Sequence, residues 1–215
     1  MATDSTFNDV LATYKSGSLA LMSTGAGDIL LYLLGPSVVS FALAMFSRRK
    51  VMAENLLVVG TAILVSSAGG LFGTAAFVRL LKLGGTAGKI LRLSVLPRNV
   101  TTPLAIAITN ILEGDISIAA AVVVLTGIFG ATYGGRILTA IGIHDPVSRG
   151  LGIGAAAQGL GVASFVNEKE AFPFAAISMV LTAVAATTLV SIPSAKDALI
   201  NLATGDLISV TSTSE

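Results

Sequence analysis

The sequence predicts an all-α membrane protein, a polytopic helical bundle with two inverted repeats, each a spanning helix plus a broken or re-entrant helix. Three observations lead there: too little charge to cover a soluble surface, four long charge-free apolar runs, and a motif that recurs 57 residues along the chain. Of the 215 residues 53% are hydrophobic and only 12% charged, and mean hydropathy is +0.87. Soluble domains carry about 25% charge, so the surface must be covered by something other than water.

The same numbers exclude whole classes of function. A net charge of +1 offers no basic field to nucleic acid. With no cysteine there are no disulfides, no thiolate catalysis and no thiolate metal site, and a single histidine adds no transition-metal site. No Ser/His/Asp set has a natural arrangement, and no Gly-rich loop ends in a P-loop lysine. We therefore expect neither catalytic residues nor a cofactor. Met1–Asp9 lacks the basic and apolar regions of a signal peptide and the Arg-rich character of a transit peptide. The sequence is expected to be part of a longer chain, or to be targeted by other means.

A spanning helix needs about 20 apolar residues to cross roughly 30 Å of hydrocarbon. Ile29–Ser47 meets that, with Asp28 placed to cap its start. Asn55–Val78, Ile116–Gly135 and Ala171–Ala195 meet it as well. Asn99–Leu112 is apolar but too short to span, and it holds Pro103; Gly150–Asn167 is uncharged and crowded with glycine. Both read as broken or re-entrant helices, tolerated only where the freed backbone faces protein or a water-filled cavity. His144-Asp145-Pro146 reads as a helix start, and Glu113–Asp115 and Glu168–Glu170 as loops. The expected organisation is a polar N-terminal segment 1–24, a membrane domain 25–200 and a polar tail 201–215.

Gly70-Leu-Phe-Gly73 returns as Gly127-Ile-Phe-Gly130, and at the same offset Arg79 falls on Arg136, Leu81 on Leu138, Gly85 on Gly142 and Arg92 on Arg149. That makes seven identities in 23 positions, where so biased a composition gives roughly two by chance. The repeat units are about 55–112 and 116–167. If each broken segment leaves on the side it entered, the two spanning helices run in opposite directions and the repeats are inverted. If Asn99–Leu112 crosses fully, they are parallel. Its 14 residues favour inversion.

Arg98 is the sharpest functional candidate, a permanent cation beside hydrocarbon, followed by Asn99, Thr101 and Thr102. A guanidinium reads a carboxylate as a two-point fork, and the amide and hydroxyls suit neighbouring oxygens. The alternative is an interfacial arginine that snorkels to lipid phosphate. Gln158, with Gly159 and Gly161, lies in a run that lets backbone approach a ligand, or merely packs helices closely. Arg136 and Arg149 read as boundary residues.

Ser94–Ala105 (Ser-Val-Leu-Pro-Arg-Asn-Val-Thr-Thr-Pro-Leu-Ala), Val124–Gly130 and Asp145–Gly150 resemble the LrgB/CidB family in order and spacing, over roughly Gly25 to Leu207. Gly25–Leu30, Ser40–Phe46 and Arg49-Lys50 look more like its plant and algal branch than its bacterial one. The resemblance implies a secondary transporter of small 2-hydroxy carboxylates, glycolate and glycerate, in the plastid inner envelope or otherwise the plasma membrane. Its bacterial side implies a different function, a holin-like or antiholin-like pore or regulatory subunit. On the transport reading Arg98 binds the carboxylate, while Asn99, Thr101, Thr102, Gln158 and the backbone at Gly159 and Gly161 contact the other substrate oxygens. The family's usual His-Gly-Leu-Gly-Thr stands here as Gln158-Gly-Leu-Gly-Val162, so a proton-carrying histidine does not transfer. The family's extra preceding helices are also absent, so the implied partners are the lipid bilayer and either missing N-terminal helices or a second copy of the chain.

Overall fold

The computed structural model describes residues 49–85 and 88–205, together with individual helical positions between 28 and 47. Those early positions, Asp28 among them, belong to a separate compact unit, Met1–Ser47. Most of the expected span Ile29–Ser47, and segment 1–24, lie outside the described residues.

From Arg49 every regular element among the described residues is a helix. A short α1 (Arg49–Glu54) leads into α2 (Leu56–Leu80). Then come α3 (Lys89–Ser94), α4 (Thr102–Ile111), α5 (Ile116–Ala140), α6 (Pro146–Ser164), α7 (Phe172–Ser191) and α8 (Pro193–Thr204). By length and composition α2, α5 and α7 can each cross a membrane. At about 1.5 Å per residue, a 25-residue helix such as α2 or α5 measures roughly 37 Å. Two expected spans are thus found as α2 and α5, although α5 runs on to Ala140 and carries Arg136. The third is shorter than expected. Ile192 is extended and Pro193 cannot donate to a continuing helix, so α7 stops at Ser191 and α8 starts afresh. That helix passes the expected tail boundary at 201 and ends at Gly205, whose φ of 84° takes the chain out of it.

The two broken segments are found where expected. In the first, α3 and α4 flank a turn over 95–100. In the second, α6 is interrupted at Gln158, whose φ of 46° and ψ of −146° lie far from helix. Asp145 caps α6 by accepting from the Ser148 N–H, with Pro146 at the first helical position, and Asp115 caps α5 by accepting from Ile118.

Both segments return to the end they entered. After α4, the Asp115 N–H donates to Ser94 Oγ at the close of α3, at 2.7 Å. After α6, Glu168 receives Arg149 of the first turn of α6 in a two-bond fork of 2.9 and 2.7 Å, with the Phe165 ring 5.5 Å beneath the guanidinium. Each segment therefore doubles back as a hairpin, the first through the 95–101 turn and α4, the second through the two halves of α6. Arg92 holds the first hairpin to the end where α2 and α8 finish, donating to the carbonyls of Leu83, Gly85, Ala203 and Thr204. The second hairpin opens where α5 finishes and α6 begins. We call these the α8 end and the α6 end.

The recurring residues keep matching roles. Gly85 and Gly142 both take positive φ after the long helix of their unit. Arg92 and Arg149 both tie down the connection that follows that helix, Arg149 donating to Thr139 Oγ1 and the Ile143 carbonyl.

Packing is lopsided. Gly150 and Gly154 let α6 lie backbone to backbone on the start of α7, where a methyl at either position would strike Ala171 or Ala175. Ser178 Oγ bonds the Leu151 carbonyl, and the Ser66 and Thr182 hydroxyls meet at 3.0 Å, fixing α7 against α6 and α2. The main apolar core gathers Leu71, Ala75 and Val78 of α2 with Leu93–Leu96, Ile108, Leu112, Ala186, Val190, Leu199 and Ala203. With Val100, Ala105, Val123 and Ala183, this core runs from the α8 end up to the first hairpin's tip. Outward, Leu57, Leu64, Val65, Phe77 and Leu80 of α2 and Leu125, Ile128 and Phe129 of α5 are exposed. So much unpaired apolar surface suits lipid and not water. The protein is an integral membrane protein.

Candidate functional site

The turn between α3 and α4 is buried from Val95 to Val100 except at one residue, Arg98. Pro97 and the apolar neighbours fill the core and leave the guanidinium to project away from it. Arg98 Nε donates to Thr74 Oγ1 at 3.1 Å, and that hydroxyl donates in turn to the Gly70 carbonyl of α2. One edge of the fork is thereby fixed, and the terminal nitrogens have no protein acceptor among the described residues. No described carboxylate lies within ion-pair distance of Arg98 either, whereas Arg149 is matched by Glu168.

Two cavities meet at Arg98. One, of about 590 Å³, lies between α2 and α6 and is lined by Ser66, Asn99, Ser148, Gly152 and Ala156 with apolar residues of α2. The other, of about 310 Å³, lies between α5 and α6, with Thr126, Gly130, Gly152 and Ala156 on its wall. Arg98, Gly152 and Ala156 belong to both. Val58 and Ser148, near the first turns of α2 and α6, place the larger cavity toward the α6 end. A further cavity of about 510 Å³ lies beside Arg136, Arg149 and Glu168. There Glu168 already occupies the Arg149 fork, so we regard the Arg98 cavities as the better anion site. The pairing also holds the Glu168 carboxyl below its usual range, chiefly through the Arg149 hydrogen bond, against the opposing effect of burial and with help from the Arg149 charge.

The two hairpin tips touch. Asn99 Nδ2 donates to the Ala155 carbonyl of α6 at 3.2 Å and to the Ser66 carbonyl of α2 at 3.4 Å. Gln158 is buried, and its Nε2 donates to the Val123 carbonyl of α5 at 3.0 Å. Arg98 and Asn99 therefore share a cavity, but Gln158, Gly159 and Gly161 line neither of the two, nor do Thr101 and Thr102 at the start of α4. Sequence reasoning missed Ser66, Thr74, Thr126, Ser148 and Gly152. For the first two a signal existed: Ser66, Gly70 and Thr74 recur every four residues and form one small polar stripe on an apolar helix.

The model of the LrgB-like family matches residues 11–195. The chain belongs to the LrgB-like family. Among relatives, 178 residues are 38% identical to "Plastidal glycolate/glycerate translocator 1, chloroplastic" of Arabidopsis thaliana, covering 82% of this chain and 34% of that protein. A further 159-residue match, 28% identical, is to "Uncharacterized protein YwbG" of Bacillus subtilis (strain 168), covering 74% of this chain and 69% of that one. The chain thus spans about a third of the length of the plant relative. No solved structure matches it. The family match embraces both hairpins, both cavities and Arg98.

Proposed function

We propose that this chain is the substrate-binding core of a secondary transporter that moves small 2-hydroxy carboxylates, such as glycolate and glycerate, by alternating access. One observation carries the reading. Arg98 projects into cavities that lie toward one end of the bundle, while the other end is filled by packed side chains. A site set toward one end, with packed side chains toward the other, is the asymmetry that a carrier needs and a pore lacks. The open edge of Arg98 takes the carboxylate as a fork. Asn99 Oδ1 can accept from a substrate hydroxyl, its nitrogen being committed to Ser66 and Ala155. The Ser66, Ser148 and Thr126 hydroxyls line the cavities beside it, with Thr101, Thr102, Gln158, Gly159 and Gly161 in reach only after rearrangement. The name of the plant relative supports the substrate class and a plastid location, for which we propose the inner envelope. Helices preceding those described, or a second copy of the chain, complete the membrane surface.

The test is uptake of radiolabelled glycolate and glycerate into liposomes holding the protein. Saturable uptake that competes between the two substrates is expected. Non-saturating conductance indifferent to Arg98 would instead favour the holin-like reading.

A further inference from the structure

We infer that Asn99 and Gln158 form a two-position latch, each amide bridging the hairpin tips in one of two access states. The inference rests on the alternating-access reading and adds which groups exchange partners.

The break at Gln158 frees backbone groups that a continuous helix would pair. Ala155 O would ordinarily accept from the N–H of Gly159 four residues on. Here the Gly159 N–H turns to Gln158 Oε1, and Ala155 O is taken by Asn99 from the other hairpin. The first segment thus satisfies a backbone carbonyl freed by the break in the second, which a membrane interior demands.

The two amides divide one bonding scheme between them. Each donates to the long helix of its own unit, Asn99 to Ser66 O and Gln158 to Val123 O, acceptors 57 residues apart. Beyond that they differ. Asn99 bridges to the opposite hairpin, and its Oδ1 is buried with no partner. The Gln158 nitrogen bonds to α5 and not across the tips, while its Oε1 is satisfied by the adjacent N–H. Repeats that exchange conformations during transport exchange these halves. In the opposite state Gln158 bridges to the Leu96 carbonyl, which stands three residues before Asn99 as Ala155 stands three before Gln158. Asn99 then releases Ala155, and its Oδ1 gains a backbone donor. Each state leaves one amide oxygen bare, so neither is strongly favoured. The latch seen here accompanies cavities toward the α6 end.

The chain has no cysteine, so a single Val58→Cys at the mouth of the larger cavity reports opening at that end. Labelling by a membrane-impermeant thiol reagent is measured in that background. Losing one hydrogen bond shifts a two-state population roughly two- to tenfold. Asn99→Ala should slow labelling by about that factor, and Gln158→Ala should not slow it. Asn99→Gln, which keeps the amide, should restore the parent rate. If Asn99→Ala fails to accumulate, Asn99→Ser keeps one donor and should slow labelling in the same direction. Equal slowing by the alanine variants at 99 and 158, or an unchanged rate in Asn99→Ala and Asn99→Ser, overturns the latch. Glycolate uptake by the parent is read separately. Slowing by Asn99→Ala and not by Gln158→Ala, without uptake, would keep the latch and sink the transport reading; uptake without that difference does the reverse.

Discussion

Asn99 and Gln158 lay their amide nitrogens against two glycines 57 residues apart. A methyl built on Gly70 falls 2.6 Å from Asn99 Nδ2, and one built on Gly127 falls 2.9 Å from Gln158 Nε2 and 2.8 Å from Leu160 Cδ1. In both units the amide then donates to the carbonyl four residues before its glycine, Ser66 or Val123. The recurring Gly-x-Phe-Gly is therefore a socket for a hinge amide. A methyl on Gly73, by contrast, would meet nothing within 4 Å.

Gly70→Ala must displace the Asn99 amide, and Gly127→Ala the Gln158 amide together with Leu160, so each breaks a side-chain hydrogen bond to a helix carbonyl. Each is expected to lower stability by about 1–3 kcal/mol and to reduce uptake. Gly60→Ala, in the same helix as Gly70 with open space around it, should be neutral or slightly stabilising. Thermal unfolding in detergent and uptake at matched protein levels provide the readouts. A Gly70→Ala protein as stable as Gly60→Ala would remove the socket.

How much of this was legible beforehand depends on range. The spans α2 and α5, the half-helix after Pro103, the break in the glycine-rich run and the Asp145 cap are local, and composition or spacing alone reveals them. Arg98 stood out because a guanidinium beside hydrocarbon needs a reason. Other features depend on contacts between distant residues. Gln158 reads as a ligand in a glycine-rich run, yet the fold turns its nitrogen toward Val123, 35 residues earlier. Ser148 sits two residues inside a capped helix and gives no sign of facing Arg98's cavity. Glu168 reads as a solvated loop acid until the hairpin returns it to Arg149.

Arg98→Lys keeps the charge and loses the planar fork, so two charge-assisted bonds become one. At about 1.5–3 kcal/mol for a hydrogen bond to a charged group, the apparent KM should rise roughly tenfold or more. Maximal uptake should change less. Arg98→Ala should abolish saturable uptake while leaving insertion intact. If Arg98 only anchors the turn to lipid phosphate, lysine substitutes freely and wild-type KM persists.

Glu168→Gln tests the clamp at the α6 end. The folded Glu168 pKa is lowered by Arg149, from an unfolded value of about 4.3. A depressed carboxylate pKa gives stability that is present above the unfolded value and lost as pH falls through the folded one. Because the carboxylate is 40% exposed, solvent screening limits the pair to about 1 kcal/mol or less. The variant should therefore melt lower than the parent at pH 7, and the gap should close as pH falls below about 4. A gap of constant size across that window would mean that the ion pair contributes nothing.

The last prediction concerns the backbone at the break itself. Gln158 takes φ 46° and ψ −146°, a region that side-chain-bearing residues enter at a cost of about 1–3 kcal/mol. Glycine carries no such cost. Gln158→Ala and Gln158→Gly both remove the amide and its bond to Val123, so the lost hydrogen bond cancels when the two variants are compared. What remains is the conformational difference. In an uninterrupted helix alanine is the more stable of the pair by about 1 kcal/mol. At this break the order should invert, with Gln158→Gly melting above Gln158→Ala. Gly152→Ala supplies the reference inside the regular part of α6, where the added methyl meets nothing closer than 3.8 Å and the ordinary order should hold. If alanine also proves the more stable residue at 158, the helix runs straight through. Ala155 would then regain its own Gly159 partner, and Asn99 would have no carbonyl to hold.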